Sequence, residues 1–145
     1  RLPDQYKESF NKEWPVEVRP INPVDLMNPE VKEPQNYIWF KARSILPGNV
    51  SLHQCVLAYM SDMTLLDTCT NPHGVNFMNP NLHSASLDHA MWFHRPFKAD
   101  EWLLYHQDSP SASGARGFNR GSIFDLNGNL IASVAQEGLI RFTEN

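Results

Sequence analysis

The chain has 145 residues and a formal net charge of −4, which fits one domain with a real core and argues against wholesale nucleic-acid binding. Its 41% hydrophobic content, with 11% aromatics, is that of a folded globular protein. No apolar run is long enough to cross a bilayer or to act as a signal peptide, and the opening Arg1 reads as the start of a piece of a longer chain.

Residues 1–15 are charged and polar, with Pro3 and Pro15, and read as a linker or arm in which Phe10 and Trp14 are available for packing. Residues 16–145 read as the domain itself. A short strand is predicted over Val16–Arg19. From Pro20 to Pro34, repeated prolines and the steps Asn22-Pro23 and Asn28-Pro29 forbid regular structure. Asn36–Leu46 has the β-branched and aromatic content of a strand, closed by a turn at Pro47-Gly48. Ser51 and Gln54 have capping-box spacing. Apolar residues then lie on nearly every face from Leu52 to Leu66, which predicts a helix buried all round. Asn71-Pro72 and Gly74 close that region, and residues 75–81 form another Asn/Pro-rich loop.

Ser86–Phe97, SLDHAMWFHRPF, opens with period-two alternation and is rich in aromatics. It is predicted to be a half-buried strand central to the architecture. Further strands are predicted over Trp102–Gln107, Gly117–Asp125 and Leu130–Phe142, with Asn127-Gly128 a type I′ hairpin signal. One helix followed by strands joined through short turns predicts an α+β fold, the helix packed on an antiparallel sheet.

Polar residues at apolar positions are the candidates for chemistry. Asp62 falls in the predicted buried helix, where a carboxylate needs donors or shifts its pKa. It reads either as an ion-pair partner or as a base poised to take a proton from water. Gln136 shares a face with Ala132, Val134, Ile140 and Phe142, so it points inward. It is either a buried amide bonded to backbone or one that positions water or an oxyanion. Glu137 falls on the opposite face with Arg141, as a surface ion pair. Ser86, Asp88 and His89 form a polar set inside the predicted strand. A Ser-His-Asp triad drawn from them has poor geometry, because adjacent strand residues alternate faces. The six histidines lack metal spacing. Cys55 and Cys69 read as buried free thiols, which suits a reducing, intracellular compartment. Residues 109–117, SPSASGARG, resemble a phosphate-cradling loop only loosely and lack a Walker lysine. Arg95, Lys98, Arg116 and Arg120 are the cations available to an anionic ligand.

Several long motifs occur in one order: HQCVLAYMSDMTLL with NPHG, then SLDHAMWFHRPF, EWLLYHQDSPSASGARGFNRG and NGNLIASVAQEGLIR. Together they resemble the C-terminal half of the acyl-CoA thioesterase II family, over roughly residues 14–142. The resemblance implies a hot-dog fold, a long helix wrapped by an antiparallel sheet. It implies hydrolysis of fatty acyl-CoA thioesters, with a water held by an Asp, a Thr or Ser, and a Gln. Those roles fall on Asp62, Ser86 and Gln136, and leave Asp88 structural. Water then attacks directly, with a backbone N–H near the helix start as the expected oxyanion donor. Arg95 and Arg116 are the expected contacts for CoA phosphates. No metal or redox cofactor is implied, nor any nucleic acid or membrane span as partner.

Full-length members of that family are double hot dogs, of which this sequence holds the second. The expected partner is therefore an N-terminal hot-dog unit, or a second copy meeting the exposed apolar edge. Members are often peroxisomal, with the cytoplasm as the alternative address, although no Ser-Lys-Leu-like tail follows Glu144-Asn145. Two other readings stand beside this one. One is an enoyl-CoA hydratase-like enzyme using Asp88-His89 as acid and base; the other is a non-catalytic acyl-CoA-binding or assembly domain.

Overall fold

Seven strands, one α-helix and one 3₁₀ helix form the described part of the chain. In this computed structural model it comprises residues 14–143, apart from residue 24. Most of the expected arm, with Phe10, lies outside it. The elements are β1 (Val16–Pro20), β2 (Gln35–Ala42), α1 (Val50–Asp62), the 3₁₀ helix (Leu66–His73), β3 (Leu82–Ser86), β4 (Ala90–Phe93), β5 (Leu103–Ser113), β6 (Arg116–Phe124) and β7 (Leu130–Phe142). The sheet runs β1-β2-β5-β6-β7-β3, with β4 also paired to β7, and every pairing is antiparallel. α1 lies on its buried face. This is the expected α+β hot-dog architecture.

Alternation within the strands builds that face. Leu103, Tyr105, Gln107 and Ser109 of β5 are buried, as are Gly117, Asn119, Gly121 and Ile123 of β6. Val134, Gln136 and Gly138 continue the pattern in β7. From α1, His53, Leu57, Met60 and Ser61 point down onto them, a stripe at helical spacing. Fully burying a side chain such as Leu57, Leu103 or Ile123 stabilises the fold by about 1.5–3 kcal/mol. Two glycines let the segment after α1 settle onto the sheet. A Cβ at Gly117 would overlap Cys69 Sγ, and one at Gly138 would overlap Leu66.

The structure corrects several expectations. α1 is not buried all round: Val50 and Tyr59 are exposed, and Cys55 is exposed while Cys69 alone is buried. Apolar composition marked faces that this unit by itself does not cover. The helix starts one residue early, because Asn49 is the N-cap and its side chain accepts from Leu52 N–H at 3.2 Å; Ser51 falls inside the first turn. It ends at Asp62 rather than Leu66, with Met63 as C-cap. Thr64 immediately afterwards accepts from Gln107 Nε2 at 2.7 Å. The strand over Trp102–Gln107 continues to Ser113, since a register shift between Asp108 and Ser111 accommodates Pro110. Residues 109–117 are thus two paired strands and a tight turn, not a phosphate loop. Gly114 and Ala115 both take positive φ there, as a type I′ turn requires. The Asn127-Gly128 signal marks a turn, but not the expected type I′ one: Gly128 takes positive φ and Asn127 does not, and Gly128 N–H donates to Asp125 O at 3.0 Å, while Asp125 Oδ1 accepts from the N–H groups of Asn127 and Asn129, each at 2.9 Å.

The largest correction concerns Ser86–Phe97. It is not a single half-buried strand in the middle. It is the outer edge of the sheet, split into β3 and β4, and exposed along most of its length. β3 pairing ends at Ser86↔Gly138 and β4 pairing begins at Ala90↔Ala135. One extra residue therefore sits on the edge, a β-bulge. Both Leu87 and Asp88 donate their N–H to Glu137 O, at 2.9 and 3.4 Å, and Asp88 Oδ1 accepts from Glu137 N–H at 2.7 Å.

Candidate active site

Three elements deliver the polar residues that the sequence singles out. α1 ends on Asp62, β3 ends on Ser86 and the middle of β7 carries Gln136. They meet on one oxygen. Asp62 Oδ1 accepts from Ser86 Oγ at 2.8 Å and also from Gln136 Nε2. Asp62 Oδ2 has no protein donor among the described residues. The Asp62 side chain is 48% exposed, so that oxygen faces solvent. The carboxylate is therefore held on one side and free on the other, the arrangement a general base needs. Gln136 is fully buried, and its Oε1 has no hydrogen-bond partner.

Two parts of the expected geometry differ. Ser86 and Gln136 both direct their donors at Asp62, so their first effect is to fix the carboxylate. The start of α1 is not near it: thirteen residues at about 1.5 Å each separate the helix ends by roughly 18 Å. The helix N-terminus of this unit consequently supplies no oxyanion N–H at Asp62.

The bulge decides which edge residues face the site. Ser86 and His89 are three apart and would point to opposite faces of a regular strand. The extra residue reverses the phase, so both turn toward α1. His89 Nε2 lies 2.8 Å from Ser61 Oγ, and its Nδ1 lies 3.8 Å from Asp62 Oδ1. Ser61 also donates to Ala58 O at 2.9 Å and approaches Met91 Sδ at 3.2 Å. Tyr105 donates to Ser61 O at 3.1 Å. Burial first, and the Asp62 charge second, push the Tyr105 hydroxyl well above its ordinary range, so it stays protonated. Sequence reasoning missed Ser61 and Tyr105, and saw no way for His89 to share a face with Ser86. The signal was the spacing Ser86-x-x-His89, which needs a bulge to make sense.

The other candidates separate. Asp88 is engaged with backbone and makes no bond to His89, so the Asp88-His89 acid–base pair does not form. Arg95 lies beyond β4 and donates to Leu130 O at 2.6 Å. Its neighbour His94 donates its N–H to Ile131 O, five residues and about 17 Å along β7 from Gln136. Arg116 pairs with Glu137 Oε1 at 3.6 Å on the outer face, replacing the expected Glu137–Arg141 pair. Arg120 is bound to Asp108, and Lys98 lies 3.2 Å from Glu101. Asp67, beyond the trio, makes no side-chain hydrogen bond, and burial raises its carboxyl to about 6. It lines a cavity of about 460 Å³ with Leu26, Tyr37, Ile38 and Asn71.

Helix, curled sheet and edge-site carboxylate define the class, a hot-dog protein. A solved hot-dog protein from Alicyclobacillus acidocaldarius matches 90% of this chain and 47% of its own, with a TM-score of 0.69 at 15% identity, which supports the fold alone. A sequence profile of the acyl-CoA thioesterase family matches residues 5–139, and the chain belongs to that family. Acyl-CoA thioesterase 2 of Haemophilus influenzae is 40% identical over 143 residues, 99% of this chain and 50% of that protein. The peroxisomal acyl-coenzyme A thioester hydrolase 1 of Saccharomyces cerevisiae is 30% identical over 128 residues, 86% of this chain and 36% of that one. The crystal structure of acyl-CoA thioesterase II TesB2 from Mycobacterium marinum aligns with a TM-score of 0.74 at 43% identity, covering 99% of this chain and 53% of that one. The chain thus spans about half the length of such relatives or less.

Proposed function

We propose that this chain is the catalytic half of an acyl-CoA thioester hydrolase, releasing a fatty acid and CoA. The carrying observation is the two-sided environment of Asp62, with Oδ1 fixed by Ser86 and Gln136 and Oδ2 open. Asp62 Oδ2 takes a proton from water as the water oxygen bonds to the thioester carbonyl carbon. The tetrahedral adduct then collapses with cleavage of the C–S bond. The departing thiolate takes the proton back from Asp62, giving free CoA and the acid. No acyl-enzyme forms, and Ser86 serves as a hydrogen-bond donor rather than a nucleophile.

The groove is completed by a facing hot-dog unit across the β3–β4 edge. Two observations support this placement. The edge leaves Trp92 54% exposed, a large ring whose burial against a partner would be favourable. The chain also matches only half of the Haemophilus influenzae relative. CoA carries its phosphates at the far end of a long pantetheine arm. Arg95, which lines a shallow cavity with Val50 and Gln54 at the start of α1, is placed to meet them, where the helix dipole also favours an anion. Arg116, beside the site end of β7, is the second candidate. A peroxisomal address is proposed from the yeast relative's name and is checked by imaging the tagged protein.

The test offers the full-length protein a saturated acyl-CoA and, separately, an enoyl-CoA. Free thiol appears from the first, with no covalent acyl-protein trapped by hydroxylamine. Hydration of the enoyl-CoA without thiol release would favour the hydratase reading, and CoA-ester binding without turnover the binding-module reading.

A further inference from the structure

The proposed reaction does not use His89, although its ring stands beside Asp62. The bulge turns its ring toward α1, where Nε2 is 2.8 Å from the hydroxyl of the fully buried Ser61. Nδ1 is buried, has no hydrogen-bond partner among the described residues, and lies 3.8 Å from Asp62 Oδ1. That distance is too long for a hydrogen bond but short for two polar atoms out of water. A proton on Nε2 alone would leave a bare lone pair on Nδ1 facing a carboxylate oxygen, an unsatisfied buried acceptor in a repulsive field. With the proton on Nδ1, an N–H dipole faces Asp62, and the single Ser61 hydroxyl proton turns from Ala58 O, 2.9 Å away, to Nε2 at 2.8 Å. The second arrangement satisfies both nitrogens better.

We propose that His89 is a positioning residue for Asp62: Ser61 holds the ring through Nε2, and Nδ1–H faces Oδ1 and keeps Oδ2 turned to the water. This rests on the reading of Asp62 as base. The other ionisable groups nearby are committed elsewhere. Tyr105 donates its O–H to Ser61 O, Asp88 accepts from Glu137 N–H, and Glu137 pairs with Arg116 on the outer face. From β7, the group facing Asp62 is the neutral amide of Gln136.

Two measurements on the full-length protein test this. Nitrogen-15 spectra of histidine-labelled protein report the tautomer directly; His89 is expected with its proton on Nδ1. A neutral ring protonated on Nε2 overturns the proposal regardless of any activity. In kinetics, His89→Leu is expected to lower kcat with little change in KM, by about tenfold to 10²-fold, the usual effect of misplacing a reacting group. His89→Gln, which keeps a donor, recovers part of the loss, and Ser61→Ala lowers kcat the same way by less. Unchanged kcat in His89→Leu, with Asp62→Asn inactive, overturns this inference and leaves the base reading standing. Full activity in Asp62→Asn overturns both.

Discussion

At the scale of single residues, what distinguishes Asp62 is which atoms are satisfied. Oδ1 takes two donors, and Oδ2 takes none among the described residues. Asp67, five positions on, shows the opposite treatment of a carboxyl, sheltered without a donor and raised to about 6 by burial. An unfolded Asp titrates near 3.9, so the folded state holds its proton more tightly. Below about pH 4 both states are protonated and Asp67 costs nothing. As pH rises toward 6 the unfolded chain ionises first, and stability falls. Above 6 the cost is constant, at about 3 kcal/mol. Asp67→Asn is expected to raise stability by about that amount at pH 7 and to be neutral at pH 4. Urea denaturation at the two pH values measures this, and equal differences at both would contradict it. Asp62 and Gln136 were legible in the sequence because each breaks an apolar pattern. Ser61 was not, since a serine in a helix needs no explanation until His89 is seen against it.

At the scale of elements, the decisive features are where α1 begins and ends and how the edge strand is broken. Asn49 rather than Ser51 accepts the Leu52 N–H. Asn49→Ala should therefore cost about 1 kcal/mol, and Ser51→Ala less than half as much. A larger loss from Ser51→Ala, measured by thermal unfolding, would restore the capping box inferred from spacing. The element order and the presence of a turn near Asn127-Gly128 were readable because turn chemistry and alternation are local, whereas the Gly114-Ala115 turn was not. The bulge at residues 87–89 was not. It arises from Asp88 reaching the backbone of Glu137, forty-nine residues away in sequence, and no local pattern encodes that contact. Without it, Ser86 and His89 would lie on opposite faces. The same long-range dependence explains why Pro110 did not end β5: a register shift absorbs it.

At the scale of the whole molecule, the described sheet has two edges, at β1 and at β3 and β4. β1 carries a short edge, while β3 and β4 present Trp92 and Phe93 with half-exposed rings. Such an edge is a template for association. The chain alone is expected to self-associate at tens of micromolar, the range where modest apolar contacts form, and Trp92→Lys is expected to return it to a monomer. Sedimentation showing a clean monomer for the unmodified chain would contradict this. Half-buried positions across α1 and the edge strand misled the sequence reading for one reason. Composition records every surface a chain covers in its working assembly, not only those it covers alone. The central claim is that Asp62 takes the proton from water, and Asp62→Asn in the full-length protein tests it most directly. Asn is nearly isosteric and cannot take a proton at neutral pH. The account predicts thioester hydrolysis reduced by roughly 10²-fold or more, with the melting temperature little changed. An Asp62→Asn protein that hydrolyses acyl-CoA at the original rate would contradict it.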